Sequence, residues 1–149
     1  KIIVMDGDLQ HDPKYLPKMI KLFLKDKLDF VVAARNFSNF SIPGLSLIRF
    51  IASKILIYVF FILVGTKTSD PMSGFFLFKK KIFKKNEYKL FAKGYKILSD
   101  LIYSERDNVK VKDLNITFNL RKKGNSKMNL KILINIILFI FFNFFRKFI

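Results

Sequence analysis

Cysteine and tryptophan are absent from the 149-residue sequence, and histidine occurs once, at His11. The lack of cysteine excludes a disulfide framework, a thiolate zinc site and a thiol nucleophile. A single histidine excludes any site that needs several imidazole ligands, and we place His11 on a surface loop with no assigned role. Acidic residues are also scarce: 11 Asp and Glu accompany 28 Lys and Arg, which gives a formal net charge of +17.

The abundant residues are apolar and basic. Hydrophobic residues make up 51% of the chain, which is too many for a disordered basic tail, and the length suits one domain with a core. This composition points to an anionic partner, either a nucleic acid or a membrane surface. Because Lys outnumbers Arg by 23 to 5, and reading of base edges relies on Arg, we favour an anionic membrane and expect no nucleic-acid partner.

The start of the chain has the pattern of a strand–helix–strand unit. An apolar strand over residues 2–5 leads into a carboxylate-rich turn, and Pro13 opens a helix over residues 13–25 with apolar residues at three- and four-residue spacing. Residues 29–34 then form a short buried strand that ends at Arg35. The pattern predicts a parallel sheet with a covering helix.

Further elements follow along the chain. We predict a long apolar helix over residues 42–64, a strand at 74–79, a helix at 95–104 and a strand at 109–118, with a bulge near Asp113 where the apolar alternation changes phase. The uninterrupted apolar run in the first of these helices has 10 residues, fewer than the roughly 20 that span a bilayer. We therefore predict an interfacial helix for this segment, with a buried core helix as the alternative.

Two carboxylates stand at the end of the first strand. Asp6 and Asp8 flank a glycine, and Gln10 follows two residues later. Loops at the carboxyl ends of parallel strands bind ligands, and these side chains offer the hard oxygen ligands that Mg²⁺ or Mn²⁺ prefers. A polar turn that caps a helix accounts for the same residues, so this pattern alone is a weak indication of a metal site.

Two basic segments could bind phosphate. Ser46, Arg49 and Ser53 share one face of the helix at 42–64, where a guanidinium and a hydroxyl one turn apart can hold a phosphate. The alternative is a core helix with Arg49 at its rim. The basic loop at 121–127 could bind phosphate, face anionic lipid or simply be solvated.

Several motifs occur in a characteristic order. They are M-D-G-D-L-Q-H-D-P at 5–13, A-R at 34–35, Arg49 with Ser53, D-P-M-S-G-F-F at 70–76 and R-x-x-G-x-S-K-M at 121–128. Their order and spacing resemble the dolichol-phosphate (polyprenol-phosphate) mannosyltransferases of glycosyltransferase family 2 over nearly the whole chain. The resemblance implies the GT-A fold, a Rossmann-like α/β domain with a largely parallel sheet.

The resemblance also implies an activity. This is the inverting, metal-dependent transfer of a hexose, with mannose from the nucleotide sugar GDP-mannose as the first choice, to a polyprenyl or dolichyl monophosphate at the cytoplasmic face of a membrane. The residues implied are Asp6, Asp8 and Gln10 for a divalent Mg²⁺ or Mn²⁺ ion, Asp8 and Asp70 for catalysis, Arg35, Arg49 and Ser53 for the acceptor phosphate, and Arg121, Ser126 and Lys127 for a loop over the donor or acceptor.

The family carries a nucleotide-binding half before the paired aspartates. We expect that half to be missing here, so that residues 1–128 form the C-terminal part of a GT-A domain that is inactive by itself. The apolar stretch at 132–145 has 14 residues and reaches about 21 Å, short of the roughly 30 Å hydrocarbon core. We therefore predict a membrane-associated helix over 129–149. The alternatives are a glucosyl- or aminosugar transferase to the same lipid class, and a non-catalytic membrane-binding fragment.

Overall fold

The computed structural model describes residues 1–35, 67–90, 97–105 and 109–117, together with single positions at 54, 57, 58, 61, 62, 65, 138 and 141. The strands in these residues are β1 (Ile2–Val4), β2 (Phe30–Arg35), β3 (Phe76–Phe78) and β4 (Val111–Ile116). The helices are α1 (Leu16–Lys25), α2 (Lys80–Asn86) and α3 (Ile97–Ser104), with 3₁₀ turns at Pro13–Tyr15 and Glu87–Lys89.

The four strands form one mixed sheet in the order β1-β3-β2-β4. β3 is antiparallel to both β1 and β2, whereas β4 is parallel to β2. The prediction of a largely parallel sheet is thus corrected for the described strands: β1 and β2 run in the same direction, but β3 lies between them. β3 runs backward because the segment before it is held at the carboxyl end of β2, where the Ser73 hydroxyl donates to the Ala33 carbonyl oxygen at 2.7 Å.

The predicted bulge near Asp113 is wrong. The register between β2 and β4 is unbroken from the pair Phe30–Val111 to the pair Arg35–Ile116. The apolar residues of β4 change phase because both faces of the sheet are covered. Val111 packs on one face and Leu114 on the other, as the two-residue period of a strand requires.

Each face of the sheet has its own apolar core. α1 packs on one face through Met19 and Phe23, while α2 and α3 cover the other. The α1 face also contains Val31, Ala33, Phe75, Leu77, Leu114 and Ile116, and the opposite face contains Phe30, Val32, Phe76, Phe78, Ile82, Leu98, Leu101 and Ile102. Strand β2 is apolar on both faces for this reason and sits at the centre of the domain.

The helices begin where the local chemistry favours them. The Asp12 carboxylate accepts a hydrogen bond from the Lys14 N–H at 2.9 Å, so it caps the 3₁₀ turn that precedes α1. The predicted helix at 13–25 is confirmed, with this 3₁₀ turn as its start, and α3 and β3 fall inside their predicted ranges. α2 escaped prediction because four of its seven residues are lysines; only Ile82 and Asn86, one turn apart, are buried.

The two segments predicted to meet a membrane lie almost wholly outside the described residues. In the range 42–64, positions 54, 57, 58, 61 and 62 are helical, and in the range 129–149, positions 138 and 141 are helical. Within the described part of the chain, no helix combines the length and the apolar content needed to cross a bilayer. The division into residues 1–128 and 129–149 stays a prediction.

Candidate active site

The polar residues singled out from the sequence converge on one edge of the sheet. Asp6 and Asp8 follow the carboxyl end of β1, Arg35 is the last residue of β2, and Asp70 and Gly74 precede β3. Because β3 is antiparallel to both neighbours, its start lies at the edge where β1 and β2 end. Open α/β sheets bind their ligands at this kind of edge.

Arg35 and Asp70 form a bidentate ion pair at that edge. Nε and Nη2 of Arg35 donate to Oδ2 and Oδ1 of Asp70 at 2.7 and 2.8 Å, and the Arg35 backbone N–H donates to Oδ2 at 3.2 Å. The Asp70 side chain is completely buried and the Arg35 side chain is 19% exposed. Burial alone would lower the pKa of Arg35, but the charge and hydrogen bonds of Asp70, with a contribution from Asp6, raise it above its usual value. The guanidinium is therefore charged and held in one orientation.

The loop that carries Asp70 is tied to the rest of the sheet. The Asp70 carbonyl oxygen accepts the Ser73 N–H at 3.1 Å, which closes a turn. The Ser73 hydroxyl bonds to the Ala33 carbonyl oxygen of β2 and also accepts the Phe75 N–H at 3.2 Å. From α3, the Ser99 hydroxyl donates to the Pro71 carbonyl oxygen. These bonds place the Asp70 carboxylate beside the end of β2.

Gly74 leaves the space in which the Asp6 carboxylate lies. A Cβ atom at position 74 would stand 2.0 Å from Oδ2 and 2.5 Å from Cγ of Asp6, far inside van der Waals contact. The close approach at Gly74 therefore involves the side chain of Asp6, which follows β1. A larger residue at 74 would displace Asp6 from the edge.

The end of the turn after β1 is more buried than its polar composition predicts, because Gln10 and His11 are both buried. Asp8 Oδ1 accepts the Gln10 N–H at 3.1 Å, and Leu9 between them has a left-handed φ of 64°. The prediction that His11 lies on the surface is wrong: it is 5% exposed, with its ring centroid 5.3 Å from that of Phe75. Its Nε2 is 3.9 Å from Asp6 Oδ2. Phe75, which contacts this ring, is distant in sequence, so the turn itself carries no signal for the contact.

The oxygen donors at this edge suit a divalent ion that arrives with a diphosphate. Within the described residues, no group of three or more Asp, Glu, His or Cys side chains could hold a metal ion. Mg²⁺, however, is commonly held by one or two carboxylates together with substrate phosphates. Gln10 is only 7% exposed, whereas the Asp6 side chain is 60% exposed and can reach such a ligand, so the carboxylate part of the donor set Asp6, Asp8 and Gln10 fits this mode. Its assignment to a metal stays a prediction.

The other predicted site residues have no described position. Arg49, Ser53, Arg121, Ser126 and Lys127 all lie outside the described residues. Of the residues predicted to receive the acceptor phosphate, Arg35 alone is therefore described, and its guanidinium contacts Asp70.

Comparisons with known proteins agree with the resemblance in the motifs. The family model for glycosyl transferase family 2 matches residues 2–86. A dolichol-phosphate mannosyltransferase of Pyrococcus furiosus is 32% identical over 128 residues, which are 85% of this chain and 35% of that protein. The enzyme of the same name from Mycosarcoma maydis is 32% identical over 138 residues, 89% of this chain and 45% of that protein. The one from Saccharomyces cerevisiae is 30% identical over 147 residues, which cover 89% of this chain and 51% of that protein. The chain thus spans between about a third and a half of the length of these relatives.

Proposed function

This chain belongs to glycosyl transferase family 2, and we propose that it is part of a membrane-associated enzyme that transfers a hexose from a nucleotide sugar to a polyprenyl or dolichyl monophosphate. The observation that carries the proposal is the convergence of the Asp6–Asp8 turn and the Arg35–Asp70 pair at one edge of the sheet. The names of the relatives support mannose as the sugar and a dolichol phosphate as the acceptor. GDP-mannose is the donor, and the reaction takes place at the cytoplasmic face of the membrane.

The proposed reaction is a single displacement. An oxygen of the acceptor phosphate attacks C1 of the sugar, and the bond between C1 and the diphosphate oxygen breaks. The nucleoside diphosphate leaves with the bonding electrons, and the configuration at C1 inverts. Because the acceptor phosphate is already an anion, it needs little help from a general base. Catalysis then depends on positioning and on stabilisation of charge.

Asp6, Asp8 and Gln10 would hold the divalent ion, Mg²⁺ or Mn²⁺. When bound, such an ion neutralises the charge of the diphosphate leaving group. The residues themselves orient the donor: Asp6 lies against Gly74 at the start of β3, and Asp8 shapes its turn by accepting the Gln10 N–H. Of these residues, Asp8 is the one on which we expect turnover to depend most strongly.

Arg35 and Asp70 have different roles in binding the acceptor. We propose that the Arg35 guanidinium meets the acceptor phosphate and that Asp70 fixes its orientation. A guanidinium can bind a carboxylate along one edge and a phosphate along another. The bidentate contact at 2.7 and 2.8 Å supports the orienting role of Asp70. The resemblance implies that Asp70 is catalytic, and the role we propose for it is to orient Arg35.

The test is an assay of the full-length protein in membranes with polyprenyl phosphate and a panel of labelled nucleotide sugars. We expect GDP-mannose to yield label that partitions into the organic phase. A preference for a glucose or aminosugar donor would reassign the sugar, whereas binding to anionic liposomes without any product would indicate a non-catalytic membrane protein and contradict the proposal.

A carboxamide variant makes the assay specific for the site. Asp8→Asn should lower turnover at least about 100-fold, because a donor-orienting carboxylate is lost. Asp12→Asn is the matched control: Asp12 lies in the same turn but caps the 3₁₀ segment through the Lys14 N–H, and its variant should keep nearly full activity. Equal losses in both variants would contradict the assignment.

A further inference from the structure

An aspartate outside the predicted site holds the loop that carries Asp70. Asp113 lies in β4, opposite Val32 of β2. Its Oδ1 accepts the Thr68 hydroxyl at 2.6 Å, and its Oδ2 accepts the N–H and the hydroxyl of Ser69 at 2.7 and 2.6 Å. Three short hydrogen bonds thus join one carboxylate to two consecutive loop residues.

The contact continues from Asp113 to the Arg35–Asp70 pair. The Thr68 hydroxyl has one proton, and it donates that proton to Asp113. Its oxygen is then turned so that it accepts the Asp70 N–H at 3.3 Å. Asp70 in turn accepts two hydrogen bonds from the Arg35 guanidinium. Two residues therefore connect the Asp113 carboxylate to the guanidinium.

The loop is anchored at both ends, and the two anchors are on different strands. Ser73, near β3, bonds to the Ala33 carbonyl oxygen of β2. Thr68 and Ser69, at the other end, bond to β4. Since β4 pairs with β2 in an unbroken register, Asp113 is fixed relative to Arg35. Loss of Asp113 would release the end of the loop next to Asp70 and leave the end next to Gly74 in place.

We infer that Asp113 is a positioning residue, which acts through Thr68 and Asp70 to orient the Arg35 guanidinium. This inference rests on the proposed function, in which Arg35 meets the acceptor phosphate. Because Gly74 stays anchored, the Asp6 carboxylate keeps its place. Loss of Asp113 should therefore impair use of the lipid acceptor and spare use of the nucleotide-sugar donor.

The kinetic experiment compares Asp113→Asn with Asp26→Asn in the full-length protein. Asp26 is the matched control, because it follows α1 on the other face of the sheet and its carboxylate binds the exposed Lys112 ammonium at 2.8 Å. We expect Asp113→Asn to lower kcat/KM for polyprenyl phosphate by about 10- to 100-fold, since small misplacements of orienting groups have effects of this size. The KM for the nucleotide sugar should stay unchanged, and Asp26→Asn should match the wild type.

A second pair of variants tests the connection through Thr68. Thr68→Val keeps the shape of the side chain but removes the hydroxyl, so it should reproduce the defect of Asp113→Asn. Thr68→Ser keeps the hydroxyl and should restore acceptor use to within about twofold of the wild type. A purely structural role for Asp113 would instead lower the amount of folded enzyme and leave both KM values unchanged, and that result would overturn the inference.

Hydrogen exchange separates this inference from the proposed function. The Arg35 and Asp70 amides donate to the Asp70 carboxylate and to the Thr68 hydroxyl, respectively. Both amides should exchange faster in Asp113→Asn than in Asp26→Asn, whether or not the protein transfers mannose. Unchanged exchange at both amides would overturn the inference. Faster exchange in Asp113→Asn than in Asp26→Asn, together with a wild type that forms no lipid-linked sugar, would overturn only the proposed function.

Discussion

The two ends of strand β2 each carry an aspartate bound to a cation, and they are built differently. At the amino end, Asp29 accepts the Lys110 N–H at 2.9 Å and the Lys79 ammonium at 2.7 Å. The backbone of Asp29 also bonds to that of Lys79 and Lys110. At the carboxyl end, Asp70 reaches β2 from a loop and binds the Arg35 guanidinium along two parallel hydrogen bonds.

The contacts of Asp29 hold neighbouring strands together, whereas the Arg35–Asp70 pair fixes the orientation of one side chain. A lysine ammonium is a compact charge on a flexible stem, whereas a guanidinium is a planar fork that a carboxylate holds at one angle. Asp29 therefore ties the neighbours of β2 together, with most of the order supplied by the main chain. The Asp70 carboxylate instead binds both the guanidinium and the backbone N–H of Arg35, at the edge where a ligand would bind.

The largest effect, on the free energy of unfolding, should come from breaking the Arg35–Asp70 pair at the carboxyl end of β2. Asp70→Ala leaves the Arg35 guanidinium largely buried without this carboxylate and should lower the free energy of unfolding by about 3–5 kcal/mol. Urea unfolding followed by circular dichroism measures the change. Asp26→Ala, which removes only an exposed pair, is the control. A loss from Asp70→Ala as small as that of the control would show that the pair is not a main source of order.

A smaller effect, on activity, should follow when the Arg35–Asp70 pair is kept and the neighbouring Asp6 carboxylate is displaced. In Gly74→Ala the new methyl group would meet Oδ2 of Asp6 at 2.0 Å, so the carboxylate must shift. We expect transferase activity to fall about 100-fold, which corresponds to about 2.7 kcal/mol in the activation free energy. Gly7→Ala is the matched control, because a Cβ there meets nothing within 4 Å. Similar activity in both variants would contradict this account of Gly74.

The smallest effect should come from a substitution of Asp29 at the amino end of β2. Asp29→Asn should lower the free energy of unfolding by about 1–3 kcal/mol, with little change in catalysis, since it weakens hydrogen bonds between elements far from the active edge. Thermal unfolding and acceptor kinetics of the same variant test both halves of this statement. A strong loss of activity in a stably folded Asp29→Asn protein would contradict the claim that the amino end of β2 affects stability and not catalysis.

The same variant should also change the pH dependence of stability. Burial would raise the pKa of Asp29, but the Lys110 N–H, the Lys79 hydrogen bond and nearby lysine charges outweigh it and lower the pKa. A lowered folded pKa contributes stability above the unfolded value of about 3.9, and this contribution is lost as the pH falls through the folded pKa. The stability difference between wild type and Asp29→Asn should therefore be full near neutral pH and shrink below about pH 4. A difference that is constant from pH 3 to 7 would contradict it.

Local patterns predicted the elements better than their arrangement. The helix at 13–25 and the strand that ends at Arg35 follow from apolar spacing and from the chemistry of Asp12 and Pro13. The insertion of β3 between β1 and β2 depends on the bond from Ser73 to Ala33, 40 residues apart in sequence. A long-range contact of that kind leaves no local trace.

The candidate site shows the same division. The motifs identified Asp6, Asp8, Arg35 and Asp70, and the structure brings all four to one edge of the sheet. They did not show that Arg35 binds Asp70 or that Gly74 makes room for Asp6, because both facts depend on side-chain geometry. The acidic residue Asp113 in an apolar strand predicted a bulge, but the strand is regular there and the Asp113 carboxylate anchors a loop.

The strand pairing described above also bears on how the domain folds. Phe30 of β2 pairs with Val111 of β4, 81 residues away, and Ile2 of β1 pairs with Phe78 of β3. Among the described strands every pairing is of this long-range kind, so the chain must close large loops before any sheet contact stabilises it. Because Asp113 of β4 anchors the loop that carries Asp70, we expect the Arg35–Asp70 pair to become fully ordered during synthesis only after β4 has left the ribosome. Folding should therefore be slow, and a chain that stops before residue 111 should lack an ordered Arg35–Asp70 pair.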